Sequence, residues 1–365
     1  MNKYLKLLIL IAVVSALGFG LYYLFFSENK IVLPTTVQNI LDTISGNGQA
    51  PGENAIEGTG KKIVKMSDLD VFAYWSESKT GDFYLVNKSG QIIRKTNTEE
   101  NPVSLQELNR LNAVYPSADG LYAIVKFNYP ASTAFSIFNT VSSGWQPLPQ
   151  GTIAAAWAPA GNRIVYLDQA ALKILDLNTK KTTEIIRLSQ KEADLFWQNE
   201  SRILLTIKSD FLTSVYAIDV NKKTISLFLE ETGMKINWLD RNNYGLKLNV
   251  GNNLQISSLI DNNGTVLSQL SFVTLPEKCA ADASLKIIYC TIPKNIPTTN
   301  NAIEDYYMRG IYTDDSLYFI NLADGSYGEI TANNDMVIDA VNLKVQNNSI
   351  YFINRLDDKL YLMPL

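Results

Sequence analysis

Histidine is absent from the 365-residue sequence, and cysteine occurs only twice. Without imidazole, the protein cannot use a Ser-His-Asp triad or a Cys-His dyad, in which histidine moves the proton. Zinc, copper and non-haem iron sites with histidine ligands are excluded as well, and two cysteines are too few for a thiolate-rich metal cluster. The chemistry that stays open is that of carboxylate, Tyr, Lys and Arg side chains.

Positive charge is in slight deficit, since 32 Lys and Arg residues face 36 Asp and Glu residues for a net charge of −4. Nucleic-acid binding needs a basic face, and this balance gives no sign of one. We therefore predict no nucleic-acid partner. A hydrophobic fraction of 46% with 19% charged residues is typical of a packed globular protein.

An uncharged apolar segment occupies residues 7–26. Twenty residues of helix span a hydrocarbon core of about 30 Å, so we predict a single transmembrane helix that acts as a signal anchor. Lys3 and Lys6 precede it, which places residues 1–6 in the cytoplasm and the rest of the chain outside the cell membrane, periplasmic or extracellular. A cleaved signal peptide is the alternative, although the length of the apolar run favours the anchor.

Residues 27–60 are predicted to connect this helix to a globular domain. Residues 34–46 have the apolar spacing of a short juxtamembrane helix, and residues 45–60 contain five glycines in sixteen positions. Glycine-rich composition of this kind is typical of a flexible linker. The globular domain is therefore expected to span residues 61–365.

An aromatic residue recurs at the end of a short apolar strand throughout this domain. The series is Trp75, Tyr115, Trp157, Trp197 and Trp238, with successive spacings of 40, 42, 40 and 41 residues. A further 41 residues lead to Cys279. Each aromatic is followed by a turn and further strands, and residues 154–188 show four strands in succession. Four antiparallel strands per 40 to 45 residues indicate a β-propeller blade. The third strand of this unit recurs seven times along the domain, which predicts an all-β, seven-bladed propeller.

The first residues of the domain have a counterpart inside the repeat. Residues 61–75 align without a gap with residues 183–197, where an outer strand precedes Trp197. The last unit stops after its third strand, so we predict that residues 61–67 supply the outer strand of the seventh blade. The alternative register makes them the inner strand of the first blade and leaves the last blade one strand short. The predicted blades span residues 71–108, 109–149, 152–189, 192–230, 233–272, 273–332 and 333–365.

Two of the units carry a recognisable repeat motif. WAPAGNRIVYL (157–167) and YPSADGLYAIV (115–125) resemble the W-S-P-D-G-x-x-I-A-F core of TolB-type and WD-like propeller repeats. The resemblance implies the propeller fold, with the aromatic packed between blades, and it implies no particular activity. TolB has an α/β domain before its propeller, whereas this chain has the predicted anchor and linker, so the role of TolB is not transferred.

The two cysteines, Cys279 and Cys290, flank a predicted hairpin of the sixth blade. Directly opposed residues of antiparallel strands lie at distances that a disulfide can bridge, and disulfides persist outside the cytoplasm. We therefore predict a disulfide, with two buried free thiols or a redox pair as the alternatives. The 41-residue spacing also predicts that Cys279 occupies the position of the packing aromatic.

The largest departure from the repeat is an insertion at residues 292–315, between the second and third strands of the sixth blade. In a propeller these connections share one face with the connections between blades. Tyr and Arg are enriched at protein interfaces, so the insertion predicts a partner-binding site. Its candidate residues are Tyr306, Tyr307, Arg309, Tyr312, Asp314 and Asp315. Structural cover over the channel mouth or a blade edge is the alternative.

Acidic residues on the same face could hold a cation in the channel, namely Asp68, Asp70, Glu192 and Asp194. No segment has the carboxylate spacing of a calcium loop, so we predict no metal site and no cofactor. The sequence favours a membrane-anchored, non-catalytic interaction or scaffolding module that docks unknown cell-envelope proteins on its propeller face. The alternative is a propeller enzyme, a lyase, glycosidase or oxidoreductase that uses channel carboxylates, Tyr and Arg.

Overall fold

A computed structural model describes residues 62–96, 98–209, 212–239, 244–251, 254–282, 284–295, 302–330 and 336–365. The predicted cytoplasmic segment, transmembrane helix and linker, residues 1–60, lie outside these ranges. Within them, no helix has the length and apolar character needed to cross a membrane.

Seven four-stranded antiparallel sheets form the blades of a β-propeller, which confirms the predicted fold class. Blades 1 to 6 each use four consecutive strands, ordered from the channel outward. Blades 1 and 2 comprise β2 (Val71–Ser76), β3 (Phe83–Asn87), β4 (Ile92–Lys95), β5 (Glu100–Ser104), β6 (Ala113–Pro116), β7 (Tyr122–Phe127), β8 (Ala134–Asn139) and β9 (Gly144–Pro147). Blades 3 and 4 comprise β10 (Ala154–Trp157), β11 (Arg163–Leu167), β12 (Ala171–Asp176), β13 (Thr182–Arg187), β14 (Asp194–Asn199), β15 (Arg202–Lys208), β16 (Leu212–Asp219) and β17 (Thr224–Thr232).

Blades 5 and 6 comprise β18 (Met234–Trp238), β19 (Tyr244–Gly251), β20 (Leu254–Asp261), β21 (Val266–Gln269), β22 (Cys279–Asp282), β23 (Ile287–Pro293), β24 (Asp315–Asn321) and β25 (Tyr327–Glu329). A single α-helix among the described residues, α1 (Ala302–Tyr307), lies between β23 and β24. A short 3-10 helix, Pro276–Lys278, precedes β22.

Blade 7 is assembled from both ends of the domain. Its three consecutive strands are β26 (Ala340–Gln346), β27 (Ser349–Asn354) and β28 (Lys359–Pro364), and its outermost strand is β1 (Val64–Lys65). Val64 lies opposite Leu362, and the Met66 amide donates to the Leu360 carbonyl at 2.8 Å. The predicted closing strand is thereby confirmed, although it is shorter than residues 61–67, and the alternative inner-strand register is wrong.

The core lies between blades, because each sheet has a neighbour on both faces. Second strands are accordingly buried along most of their length, as in β11 and β27, whereas the outermost strands β5 and β13 are mainly exposed. This gradient explains why the second strands read as continuous apolar runs, which is the pattern of a strand covered on both sides.

The repeat motif joins neighbouring blades. The Trp75 indole N–H of blade 1 donates to the Gly120 carbonyl of blade 2 at 3.0 Å. Gly120 has a φ of +73°, and a Cβ there would lie 2.1 Å from the Ser76 carbonyl oxygen. Only glycine allows this approach, because any side chain would clash with the backbone of the adjacent blade.

The register of blade 6 differs from the prediction. Trp157 and Trp197 pair with Ile164 and Ile203, the second residues of their neighbouring strands. The equivalent residue of blade 6 is Ile288, and its partner is Ala281. The prediction that Cys279 replaces the packing aromatic is therefore wrong. Cys279 begins β22 two residues before Ala281, which occupies the position of the aromatic. The connection before β22 contains the extra 3-10 turn, which accounts for the shift.

We expect Ile63→Ala to destabilise the propeller by about 2 to 5 kcal/mol, which is typical of removing a buried aliphatic side chain. Ile63 is 5% exposed and packs with residues of blades 6 and 7, whereas the adjacent Val64 is 47% exposed. Urea unfolding of the two alanine variants makes the comparison, and Val64→Ala should change stability by less than about 0.5 kcal/mol. Equal, small effects would show that the N-terminal segment adds nothing to the closed ring.

Candidate functional site

The insertion of blade 6 lies across the mouth of the central channel. It connects β23 to β24 and contains α1. The Tyr307 hydroxyl donates at 2.9 Å to Glu277, which belongs to the connection between blades 5 and 6. The Arg309 guanidinium pairs at 2.9 Å with Asp358 in a turn of blade 7. These contacts place the insertion on the face formed by the connections between blades.

A buried polar cluster fixes the insertion to the propeller. Lys278, with no exposed surface, places its ammonium 2.5 Å from Asp315 Oδ2, 2.8 Å from Asp339 Oδ1 and 3.0 Å from Thr313 Oγ1. Arg355 donates to the second oxygen of Asp339 at 3.0 Å. Two cations thus face two carboxylates, so the charges of the buried cluster cancel.

The two carboxylates of the cluster differ in environment. Burial acts to raise the pKa of Asp339, but the charges of Lys278 and Arg355 outweigh burial and hold that pKa below its usual value. Burial raises the pKa of Asp315 despite the neighbouring Lys278. Asp315 Oδ1 has no hydrogen-bond partner among the described residues, which agrees with the weaker stabilisation of its charged form.

Tyr306 belongs to this cluster and is 3% exposed. Its hydroxyl donates to Asp339 at 2.9 Å, its carbonyl accepts from Arg355 at 2.6 Å, and the Arg355 guanidinium lies 3.8 Å from the ring centroid. Asp315 is also buried, at 5% exposure. Burial removes Tyr306 and Asp315 from the partner-binding set expected from the sequence, because no partner can reach either side chain in the folded protein.

The remaining candidates lie at the surface together with one residue that the sequence prediction omitted. Met308 is 83% exposed, Tyr312 is 47% exposed and Tyr307 is 40% exposed. Arg309 and Asp314 are half exposed, and each has an ion-pair partner, Asp358 and Lys294 respectively. We call these five neighbours in the insertion the docking surface: Tyr307, Met308, Arg309, Tyr312 and Asp314.

A disulfide joins Cys279 and Cys290 next to the buried cluster. The two residues lie directly opposite each other in β22 and β23, with their Cα atoms 4.1 Å apart. Both are buried. The cross-link fixes the innermost strand of blade 6 immediately after Lys278, so it holds the base of the insertion in register.

A cavity of about 990 Å³ occupies the channel beneath the insertion. Its described lining comes from innermost strands, from connections and from the insertion. It includes five charged residues, namely Lys88, Glu277, Arg309, Lys344 and Arg355. Glu277 is the one carboxylate among them, and burial raises its pKa. Hydrolysis by a carboxylate pair needs two such groups at the reacting bond, and this lining supplies one.

Each acidic residue that the sequence placed on this face has a partner of its own. Asp70 pairs with Lys359 at 2.7 Å and Asp194 with Lys208 at 2.9 Å. Asp68 pairs with Lys65, and Glu192 accepts from the Tyr129 hydroxyl at 3.1 Å. Within the described part of the chain, no three His, Cys, Asp or Glu residues are grouped as a metal site requires.

Comparison with known proteins identifies the fold. No family model and no curated protein sequence matches this chain. The structure of U3-55K aligns with a TM-score of 0.53 at 10% identity, over 84% of this chain and 100% of that chain. The RRP9 WD40 repeats align with a TM-score of 0.52 at 10% identity, over 83% and 97%.

The tricorn protease aligns with a TM-score of 0.51 at 13% identity, over 84% of this chain but only 34% of the protease chain. At these identities the likeness shows the fold alone. The protein is thus a seven-bladed β-propeller with WD40-like structural neighbours. A specific relation to TolB-type propellers stays a prediction from the sequence.

We expect Lys278→Met to destabilise the protein by about 3 to 5 kcal/mol, because it leaves Asp315 and Asp339 buried with too little compensating charge. Lys294→Met is the matched control, since Lys294 forms an exposed ion pair with Asp314 in the same insertion. Exposed pairs contribute less than about 1 kcal/mol. Denaturant unfolding measures both, and a loss for Lys278→Met no larger than the control would contradict the anchoring role of the cluster.

Proposed function

We propose that this protein is a non-catalytic docking platform of the cell envelope, anchored in the membrane through residues 7–26, with its propeller outside. A partner protein binds the docking surface on the insertion of blade 6. The observation that carries the proposal is the exposure of Met308, Tyr307 and Tyr312 on a short segment whose base is firmly buried.

The composition of this surface suits protein recognition. Tyr, Arg and Met are enriched at interfaces, and the largest contributions to binding come from aromatic and Arg anchors. The charges of Arg309 and Asp314 are already balanced by Asp358 and Lys294. The groups left for a partner are therefore mainly apolar and aromatic, and a partner with exposed apolar side chains fits them best.

The buried cluster makes the surface stiff before a partner arrives. Tyr306 is held by Asp339 and Arg355, and the adjacent Tyr307 is held by Glu277 and by the Lys235 ammonium, 4.6 Å from its ring centroid. A segment that is already ordered loses little conformational entropy on binding, which leaves more of the contact energy as affinity.

Two features support the proposed location outside the membrane. The apolar segment 7–26 follows Lys3 and Lys6, as the positive-inside rule expects of an anchor with an external domain. The Cys279–Cys290 disulfide suits an oxidising compartment. The enzyme alternative lacks comparable support, since Glu277 has no second carboxylate beside it in the described channel lining.

We expect Met308→Asp to abolish partner capture while leaving the fold intact, because it puts a charge at the centre of an apolar interface. The experiment compares full-length wild type and variant by affinity purification from membranes after cross-linking, with quantitative mass spectrometry. Leu285→Asp is the control, since Leu285 is 53% exposed in a turn between β22 and β23 on the opposite face. Partners captured equally by all three proteins would place the interface elsewhere.

A further inference from the structure

Lys344 lies on β26, the innermost strand of blade 7, where the strand departs from regular pairing. Val341 pairs with Ile353 and Lys344 with Tyr351, so two residues of β26 oppose one of β27. The extra residue Asn342 has a φ of 55°, which Asn tolerates better than most residues. Bulges of this kind redirect side chains, and Lys344 lines the channel cavity.

The Lys344 ammonium has one hydrogen-bond partner among the described residues, the Tyr74 carbonyl of blade 1 at 2.9 Å. It also lies 5.1 Å from the centroid of the Tyr74 ring. The Tyr74 hydroxyl donates back to the Asn342 carbonyl at 2.7 Å, which fixes the ring beside the bulge. An ammonium carries three N–H donors, so two are left for a ligand in the channel.

Each of the other cations of the cavity pairs with a carboxylate. Lys88 and Arg309 share Asp358, and Arg355 pairs with Asp339. Lys344 forms no ion pair with any carboxylate in the described residues, and the one acidic residue of the lining, Glu277, accepts from Tyr307 instead. The described residues therefore leave the positive charge of Lys344 in the cavity uncompensated.

An uncompensated ammonium in a channel is costly, because burial disfavours its charged form. Burial alone lowers the pKa of Lys344 to about 8. The residue is still mostly protonated at neutral pH, and an anion beside it would raise the pKa again. An ammonium in this setting gains more from an anionic partner than a solvated surface lysine does.

The same cavity offers apolar surface. Phe72, Tyr115 and Trp238 are among its lining residues, together with Val114 and Pro116. Ligand sites in proteins commonly combine a predominantly apolar lining with a few polar groups, within volumes of about 300 to 1,000 Å³. The channel cavity has both apolar and polar lining, and its volume of about 990 Å³ falls within that range.

We propose that the channel binds a small organic anion, whose carboxylate or phosphate group pairs with Lys344 and whose apolar body lies against the aromatic lining. The proposal stands whether or not a partner protein binds the docking surface. Lys344 takes the role of the charged anchor, Tyr74 positions its ammonium, and the insertion of blade 6 covers the mouth of the cavity through Tyr307 and Arg309.

Calorimetric titration with benzoate, phenyl phosphate and neutral benzamide tests this directly on the full-length protein. At pH 7 we expect benzoate, phenyl phosphate or both to bind at least tenfold more tightly than benzamide, and the preferred anion identifies the carboxylate or phosphate chemistry. Lys344→Met should lose that preference, whereas Lys344→Arg, which keeps the charge, should retain it. Lys222→Met is the control, because Lys222 is a 79% exposed lysine in a turn of blade 4 outside the cavity.

The pH profile separates a binding role from a purely structural one. Affinity for benzoate, which stays ionised near neutral pH, should be constant between about pH 6 and 7. It should fall up to tenfold per unit as Lys344 deprotonates above pH 8. This dependence should vanish in Lys344→Met. Three results would overturn the proposal. The first is equal affinity of the wild type for benzoate and benzamide, the second is unchanged anion binding by Lys344→Met, and the third is a lack of saturable binding of either anion by the wild type. The first and last of these results need only the wild type, so they stand even if a variant fails to fold.

Discussion

A β-propeller is a ring of sheets, and the ring is closed only if its first and last strands pair with each other. Here the meeting point is blade 7, in which β1 from the start of the domain pairs with β28 at its end. Val64 and Lys65 pair with β28, and the Met66 amide donates to Leu360 of the same strand. Ile63 adds a buried side chain between blades 6 and 7. A few residues thus remove the exposed edge of the last blade and join the two ends of the domain.

The junction between blades 7 and 1 is reinforced closer to the axis. Ser76 donates to Gln346 across the innermost strands. Lys344 of β26 donates to the Tyr74 carbonyl of β2, and the Tyr74 hydroxyl donates to the Asn342 carbonyl of β26. Closure is therefore shared between an outer strand and inner side chains. The bulge in β26 that presents Lys344 to the channel lies at this junction, so the proposed anion site depends on the ring being closed.

The insertion of blade 6 depends on the same closure. Its buried cluster combines Lys278 from the connection before blade 6 with Asp339 and Arg355 from blade 7. Asp358, the partner of Arg309, also belongs to blade 7. If blade 7 lost its outer strand, the carboxylates and the guanidinium that hold Tyr306 would lose their fixed positions, and the docking surface would lose its support.

The sequence predicted what depends on local pattern and missed what depends on distant contacts. Strand alternation and the 41-residue period predicted the blades, and the gapless alignment of residues 61–75 predicted the closing strand. Tyr306 and Asp315 lie in a polar insertion, and their burial depends on Lys278, Asp339 and Arg355. In the chain, Asp339 is 61 residues from Lys278 and 16 from Arg355. Lys344 gave no signal either, because its missing ion pair is a property of the assembled channel.

The most direct test of ring closure compares the fragments 61–365 and 69–365 by denaturant unfolding. The shorter fragment lacks β1 and Ile63, and we expect it to be less stable by several kcal/mol. In that fragment the amides of β28 should lose their protection from hydrogen exchange before the amides of β11 do. Equal stability and equal protection of β28 in the two fragments would contradict the account, because the ring would then be closed without its first strand.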